Sequence, residues 1–505
     1  MSASREKKKR QEFIAGGGVD PKAAREAEQK AAERKSGILY TAIFVAFVIL
    51  AVFLWVFNSG ILQRNKTAVT IDGEKYTVND VAFYYQQSYQ GFLNQWGGYA
   101  SLVGLDTSKS LKSQYAFGGT EQTWDDYFKE QAVETMKFVH ASNAEAKAND
   151  VTLDQETKDS IDAGIASMKE AASSAGYTYK QYLAAMFGST MTPSAYEKLM
   201  EKYLLAYQYG AQVQDGFSFT EDEIKAYYDE NKNTYDLVDG GYVTVSGRPE
   251  TKTDADGKTI EATDEEKSAA LENAKKTAEA ILAAYKKGGD LEKLAEENGA
   301  SYYSSKTMSY SNSTTGNWLF DAARKSGDAQ VLHGDDDTSY FVGVFNGRQR
   351  DEALDYNVRH ILVTKDNLTL GEGEEATDEM IQAKAEEILA GWDGTEDGFA
   401  ALAGEFSQDG GSKDNGGLYE NVVKGQMVSD FNDWCYADGR KSGDTGIVSS
   451  SYGCHIMYFV GYGQEQYWHY ACNSALVSNA YSEWRASITE PLTAETVESG
   501  MKLVG

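Results

Sequence analysis

Proline, cysteine and histidine are scarce in this chain of 505 residues, at four, three and five copies. Proline normally supplies about 5% of a sequence, so its near-absence removes most slow X–Pro steps from the chain's own folding. Three cysteines (Cys435, Cys454, Cys472), odd in number and without CxxC spacing, exclude a disulfide framework and leave the redox compartment open. Excess positive charge is also lacking. The formal net charge of −29 offers no phosphate-neutralising face, which excludes nucleic acid as the expected partner. Hydrophobic residues at 41% and charged residues at 25% nevertheless describe globular material, and the length predicts three or four domains.

The first 36 residues depart from this acidic balance, with ten Lys or Arg against six acids, Lys7-Lys8-Lys9-Arg10 among them. Gly37 to Phe57 follows without a charge, long enough as a helix (about 31 Å) to cross a bilayer. A cleaved signal would have a shorter apolar run ending in small residues. This one ends Trp-Val-Phe-Asn-Ser and has no lipidation cysteine after it, so the sequence favours a retained anchor. The basic side stays in the cytoplasm, which predicts a single-pass plasma-membrane protein with Asn58 onward outside. The outer part is strongly acidic, a character that solvated surface carboxylates explain without a special partner.

Thr67–Val78 reads as two short strands around an Asp72-Gly73 turn, and Thr77-x-x-Asp80 as a capping box that opens a helix. Helical patterns rich in Tyr, Met and Ala continue to about Gln214. Thr220-x-x-Glu223 is a second capping box, opening a linking helix. The block from about Tyr235 to Arg348 then repeats the next one. Glu261-Ala-Thr-Asp-Glu265 recurs as Glu375-Ala-Thr-Asp-Glu379. Trp318 and Arg324-Lys-Ser-Gly-Asp328 recur as Trp434 and Arg440-Lys-Ser-Gly-Asp444, 116 residues later.

The copies differ where chemistry would sit. In the second, Asn357-Val-Arg-His360-Ile-Leu-Val363 and Tyr452-Gly-Cys-His455-Ile-Met-Tyr-Phe459 are strand-like runs, each with one histidine. Between them lie Phe406-Ser-Gln-Asp409-Gly-Gly and Gly425-Gln-Met427-Val-Ser-Asp-Phe431. The first copy has no histidine in either strand, and the Gly-Gln-Met-x3-Phe segment is missing from it outright. A calcium loop starting at Asp409 fails, because Gly411, Lys413 and Asp414 occupy places that need other residues. His333-Gly-Asp-Asp-Asp337 reads as an acidic surface turn rather than a metal site.

The order of His strand, Ser-Gln-Asp loop, Gly-Gln-Met-x3-Phe and Gly-x-His-Ile strand resembles the parvulin family of peptidyl-prolyl isomerases. The N-terminal pattern resembles the chaperone region of SurA- and PrsA-type foldases. The resemblance implies an α+β protein: one N-terminal transmembrane helix, a mostly helical chaperone region, then two tandem parvulin-like domains of antiparallel sheet plus helices. The expected divisions are a cytoplasmic tail (1–36), the membrane helix (37–57), the helical region with its linking helix (58–235), a degenerate parvulin-like domain (236–350), the parvulin domain (351–462) and a C-terminal helical segment (463–505).

By the same resemblance His360, Asp409, His455 and Ser450 are the catalytic residues. Met427 and Phe431, four apart on a helix, form the proline slot, with Leu418 and Tyr419 lining it. No metal or cofactor is implied, and Lys424 alone implies no preference for phosphorylated sequences. The expected activity is cis–trans isomerisation of X–Pro bonds in unfolded secreted polypeptides. The alternative is a holdase or secretion-channel scaffold whose parvulin domains only bind peptide.

Overall fold

In the computed structural model, which describes residues 66–505 apart from 189, 190, 255 and 372, the chain starts with a hairpin. Strands β1 (Thr67–Ile71) and β2 (Glu74–Thr77) are joined by Asp72 and Gly73, both at positive φ, the backbone a tight two-residue hairpin demands. The tail 1–36 and the apolar segment 37–57 lie outside the described residues. Among the described residues no helix is long and apolar enough to cross a membrane.

The described chain divides into two compact units, one comprising the residues up to Phe217 together with Ala480–Gly505, the other Ser218–Asn479. In the first, helices α1 (Val78–Trp96), α2 (Trp124–Ala148), α3 (Gln155–Ser174), α4 (Tyr179–Phe187) and α5 (Pro193–Asp215) enclose a core led by Phe83, Trp124, Phe128 and Phe138. Thr77 and Asp80 form the expected capping box of α1.

The second unit begins with α6 (Glu221–Glu230), whose Thr220–Glu223 capping box also forms. Two antiparallel four-stranded sheets follow. The first contains β3 (Asp236–Ser246), β4 (Ser301–Met308), β5 (Asp328–His333) and β6 (Ser339–Arg350), in the order β4-β3-β6-β5. Helices α7 (Asp264–Tyr285), α8 (Leu291–Glu297) and α9 (Thr314–Leu319) belong to this module. The second sheet contains β7 (Leu354–Val363), β8 (Leu418–Val422), β9 (Thr445–Ser450) and β10 (Gly453–Gln466), in the order β8-β7-β10-β9. Its helices are α10 (Asp378–Ala390), α11 (Glu396–Phe406) and α12 (Ser429–Cys435).

The two sheets share one topology, and the repeat extends to side chains. Arg324 lies over Trp318 and reaches Asp328, while Arg440 lies over Trp434 and reaches Asp444. Each tryptophan also fills room left by a glycine, Gly343 and Gly446, at different positions of the repeat, and a Cβ at either would collide with the ring. The central strands keep the same register: Thr244 pairs with Phe341, and His360 with Met457, each 116 residues on.

Helix α13 (Tyr467–Thr489) begins in the second unit, and its last turns belong to the first. There Trp484 donates to Glu145 (3.2 Å), and β11 (Ala494–Thr496) pairs with β1. The linking helix α6, grouped by sequence with the helical region, packs in the second unit. Ile224 and Tyr228 share a core with Tyr235, Trp468 and Cys472, and Tyr228 donates to Asp236 at 2.6 Å.

Candidate active site

Side chains alternate between the two faces of a strand. On β7, Ile361 and Val363 pack under α10 and α11, while Tyr356 and Val358 face α12. His360 falls on the α12 face with the second pair. On β10, Ile456 and Tyr458 take the first face, and Met457 and Phe459 take the second with His455. The two histidines are diagonal neighbours on adjacent strands, because His360 is opposite Met457 and His455 is opposite Leu362. Both are buried, with ring centroids 5.4 Å apart and Nδ1 atoms 3.2 Å apart.

Asp409 reaches His360 from the loop after α11. Its Oδ2 is 2.9 Å from His360 Nε2 and also accepts from Tyr419 (2.9 Å) and Ser412. The buried Ser407 fixes the loop, its Oγ accepting from Leu362 N (3.1 Å) and Asp409 N (3.2 Å). Gly417 closes it at φ +73°. Its carbonyl accepts from His360 N at 2.8 Å, and a Cβ there would collide with the His360 carbonyl oxygen, so the approach requires glycine. At the other end of the pair, Ser450 Oγ is 2.8 Å from His455 Nε2.

One proton pattern satisfies this chain with both rings neutral. Asp409, as a carboxylate, only accepts, so His360 Nε2–H donates to it. His455 Nδ1–H then donates to the bare His360 Nδ1, and Ser450 O–H donates to His455 Nε2. The hydrogen bond from His360 leads in holding the Asp409 carboxyl far below the usual range, against the opposing effect of burial. Burial, then the neighbouring His360, push His455 down to about 4, with Asp409 opposing. Burial and the bond to Asp409 raise the Tyr419 phenol.

Phe431 closes the apolar side. It is buried on α12, and its ring meets both imidazoles edge-on at 5.4 Å. Met427 lies beside the same cluster, though not on the helix expected from its spacing. Helix α12 starts at Ser429, and a turn precedes it. Gly425 sits at φ +81°, its N–H bonded to Asn432 (2.9 Å), while Gln426 and Val423 bond each other. Tyr419 pairs with Val358 and so shares the site face. Leu418 pairs with Arg359, which turns it to the opposite face and away from the histidines.

Ser407 and Ser412 were not among the residues expected on sequence. The only signal was their position flanking Asp409, and their bonds to it depend on the loop's path. Cys435, Cys454 and Cys472 are buried free thiols, and burial pushes Cys435 up to about 12. The first module keeps the scaffold without the chemistry. The 116-residue register places Thr244 and Ser339 at the histidine positions. Its counterpart of the Met427–Phe431 segment is present rather than missing, with Ser311 and Thr315 in those places beside α9.

A family model described as "PPIC-type PPIASE domain" matches residues 345–460. Foldase protein PrsA 1 of Listeria monocytogenes serotype 4b is 34% identical over 140 residues, covering 28% of this chain and 41% of that protein. Foldase protein PrsA 1 of Listeria innocua is 33% identical over 145 residues, covering 29% and 41%. The match thus spans about two fifths of these curated relatives. The crystal structure of PrsA from Bacillus subtilis aligns with 73% of this chain and 88% of that one, at 13% identity and a TM-score of 0.27. Residues 345–460 thus match the PPIC-type PPIase domain, in a chain similar to the PrsA foldases.

Proposed function

We propose that this chain is a membrane-anchored foldase whose second parvulin module isomerises X–Pro bonds in unfolded polypeptides outside the plasma membrane. The observation that carries this is the hydrogen-bonded row Asp409–His360–His455–Ser450, roofed edge-on by Phe431. Turning an X–Pro bond means giving up amide resonance, a barrier of about 18–20 kcal/mol. No nucleophile or cofactor is required. The site must strip water from the amide and bind its twisted form better than its planar one, each 1.36 kcal/mol of preference giving about tenfold in rate. Phe431, Met427 and Tyr419 offer an apolar slot for the ring. The row beneath them is a fixed set of dipoles that needs no reorganisation as the amide twists.

His455 serves here as a preorganised neutral group. His455, pushed down to about 4, carries no charge near neutral pH, so the buried pair does not face like-charge repulsion. Asp409 supplies the one anion, and its four donors, His360, Ser412, Tyr419 and the Gly411 N–H, hold it in place.

Thr244, Ser339, Ser311 and Thr315 support a non-catalytic role for the first module, either structural or peptide-binding. The helical region, the resemblance to foldases and the basic residues before the apolar segment 37–57 support a chaperone held at the outer face of the membrane. The test is the cis-to-trans rate of an X–Pro peptide with the purified full chain. Acceleration proportional to protein concentration is expected, and a folded protein at the background rate would leave only the holdase reading. For location, protease added outside wall-stripped cells should digest the region after residue 66 and spare residues 1–36.

A further inference from the structure

The helical unit carries an apolar face that its own described chain leaves uncovered. Tyr99, Leu102, Tyr115 and Phe117 are 69%, 78%, 50% and 52% exposed. All four lie in or beside two short turns, Gly97–Val103 and Ala116–Gly118, that pack on each other. The loop between them is stapled. Gln114 accepts from Asp106 N (2.8 Å) and donates to Asp106 O (2.9 Å) and Lys109 O (3.2 Å), while Trp124 donates to Gly104 O (3.1 Å). Phe117 stands at φ +54°, a costly conformation for an aromatic residue that persists only where its surroundings enforce it. Trp124 and Tyr127, at 4.8 and 5.2 Å, back its ring and leave the other side outward.

Charge and chain length narrow the occupant. In a chain of net charge −29, residues 97–120 contain Lys109, Lys112 and one acid, Asp106, which Lys109 pairs at 3.0 Å, with the exposed Glu121 and Asp126 following. Gly500 lies against the backbone of Thr67, and five residues later Gly505 O accepts from Lys112 (3.2 Å). At up to 3.8 Å per residue, with the contacts at each end added, Thr67 is therefore within about 30 Å of the Lys112 ammonium. Eight residues, hence nine Cα–Cα steps, separate the apolar segment 37–57 from Lys66, a reach of at most about 34 Å. Together these lengths keep a bilayer that holds residues 37–57 within about 65 Å of this loop.

We propose that Tyr99, Leu102, Tyr115 and Phe117 seat on the outer leaflet of the membrane, with Lys109 and Lys112 at the level of anionic headgroups. The proposal rests on the anchoring proposed above. Aromatic and leucine side chains at loop tips, in a stretch with two lysines and a single carboxylate, match the chemistry of the membrane interface. The rest of the outer chain, being acidic, is repelled by the same surface. A patch of this size would bind lipid weakly alone, and the short tether supplies the local concentration that makes weak binding sufficient.

The test uses the full chain in vesicles of phosphatidylcholine and phosphatidylglycerol with brominated acyl chains. An environment-sensitive fluorophore is placed at Leu102→Cys or, as control, at the exposed Ser160→Cys on α3, the three native thiols being buried. The proposal expects the probe at 102 to lose most of its emission, the probe at 160 to keep it, and Phe117→Ser with Tyr99→Ser to relieve the quenching. An unquenched probe at 102 in a chain that resists alkaline extraction overturns the docking and leaves the anchor intact. A chain that alkali removes overturns both. Shielding of 102 in detergent by an added unfolded polypeptide, or by raised protein concentration, without bromolipid quenching assigns the face to a client or a second copy and also overturns the proposal.

Discussion

His360 and His455 stand two register positions apart on adjacent antiparallel strands and meet through their Nδ1 atoms at 3.2 Å, a contact that only one proton can occupy. Burial keeps His455 neutral by lowering it from 6.5 to about 4. As the pH falls, the unfolded chain therefore takes up this proton before the folded one does. The stabilisation is complete above about pH 6.5 and is lost progressively down to about pH 4, amounting to roughly 3 kcal/mol in order of magnitude. Denaturant titrations of the wild type across this window should show that slope, and His455→Gln should flatten it.

Asp409→Asn replaces an acceptor of four hydrogen bonds with a group that also donates. His360 then loses its charged partner and the constraint on its tautomer. Bonds to charged groups contribute about 1.5–3 kcal/mol, so kcat/KM should fall by roughly 10- to 100-fold. The variant should stay folded, because the Ser407 bonds to Leu362 and to the loop backbone remain. Steady-state rates beside circular dichroism of the same sample check this.

Phe431 and Met427 should separate stability from activity. Phe431 is fully enclosed, and Phe431→Ala should cost about 3–5 kcal/mol as well as the activity. Met427 is only partly buried in a turn, so Met427→Ala should lower kcat/KM while moving stability by about 1 kcal/mol. Equal stability losses in the two would contradict the assigned slot.

The histidines were legible in the sequence because each sits at a fixed phase of a period-two strand, and because the degenerate copy marks by contrast what the fold alone requires. Phe431 and Asp409 were legible through the order of the motifs. Other features depend on partners distant in sequence. Whether Leu418 or Tyr419 faces the site is decided by pairing with β7, and a one-residue shift exchanges them. The turn at Met427 depends on Asn432 bonding Gly425, which local helical spacing does not reveal. β11, three residues long, exists through its pairing with β1 more than 400 residues earlier.

The first module should contribute no turnover. With Thr244 and Ser339 at the histidine positions, a full chain carrying His360→Ala and His455→Ala together should isomerise X–Pro peptide at the background rate. Adding Thr244→His and Ser339→His should not restore activity, since Ser311 and Thr315 leave no apolar slot. Rescue by that graft would contradict the account of the silent copy.

The central claim is that the row from Asp409 to Ser450 makes the second module an isomerase. Its most direct test is the cis-to-trans rate of an X–Pro peptide, measured for the full chain and for His455→Ala, with near-ultraviolet circular dichroism confirming that both are folded. The account predicts clear acceleration by the wild type and a loss of most of it in the variant. A wild-type rate at background, or a folded His455→Ala as fast as the wild type, would contradict it.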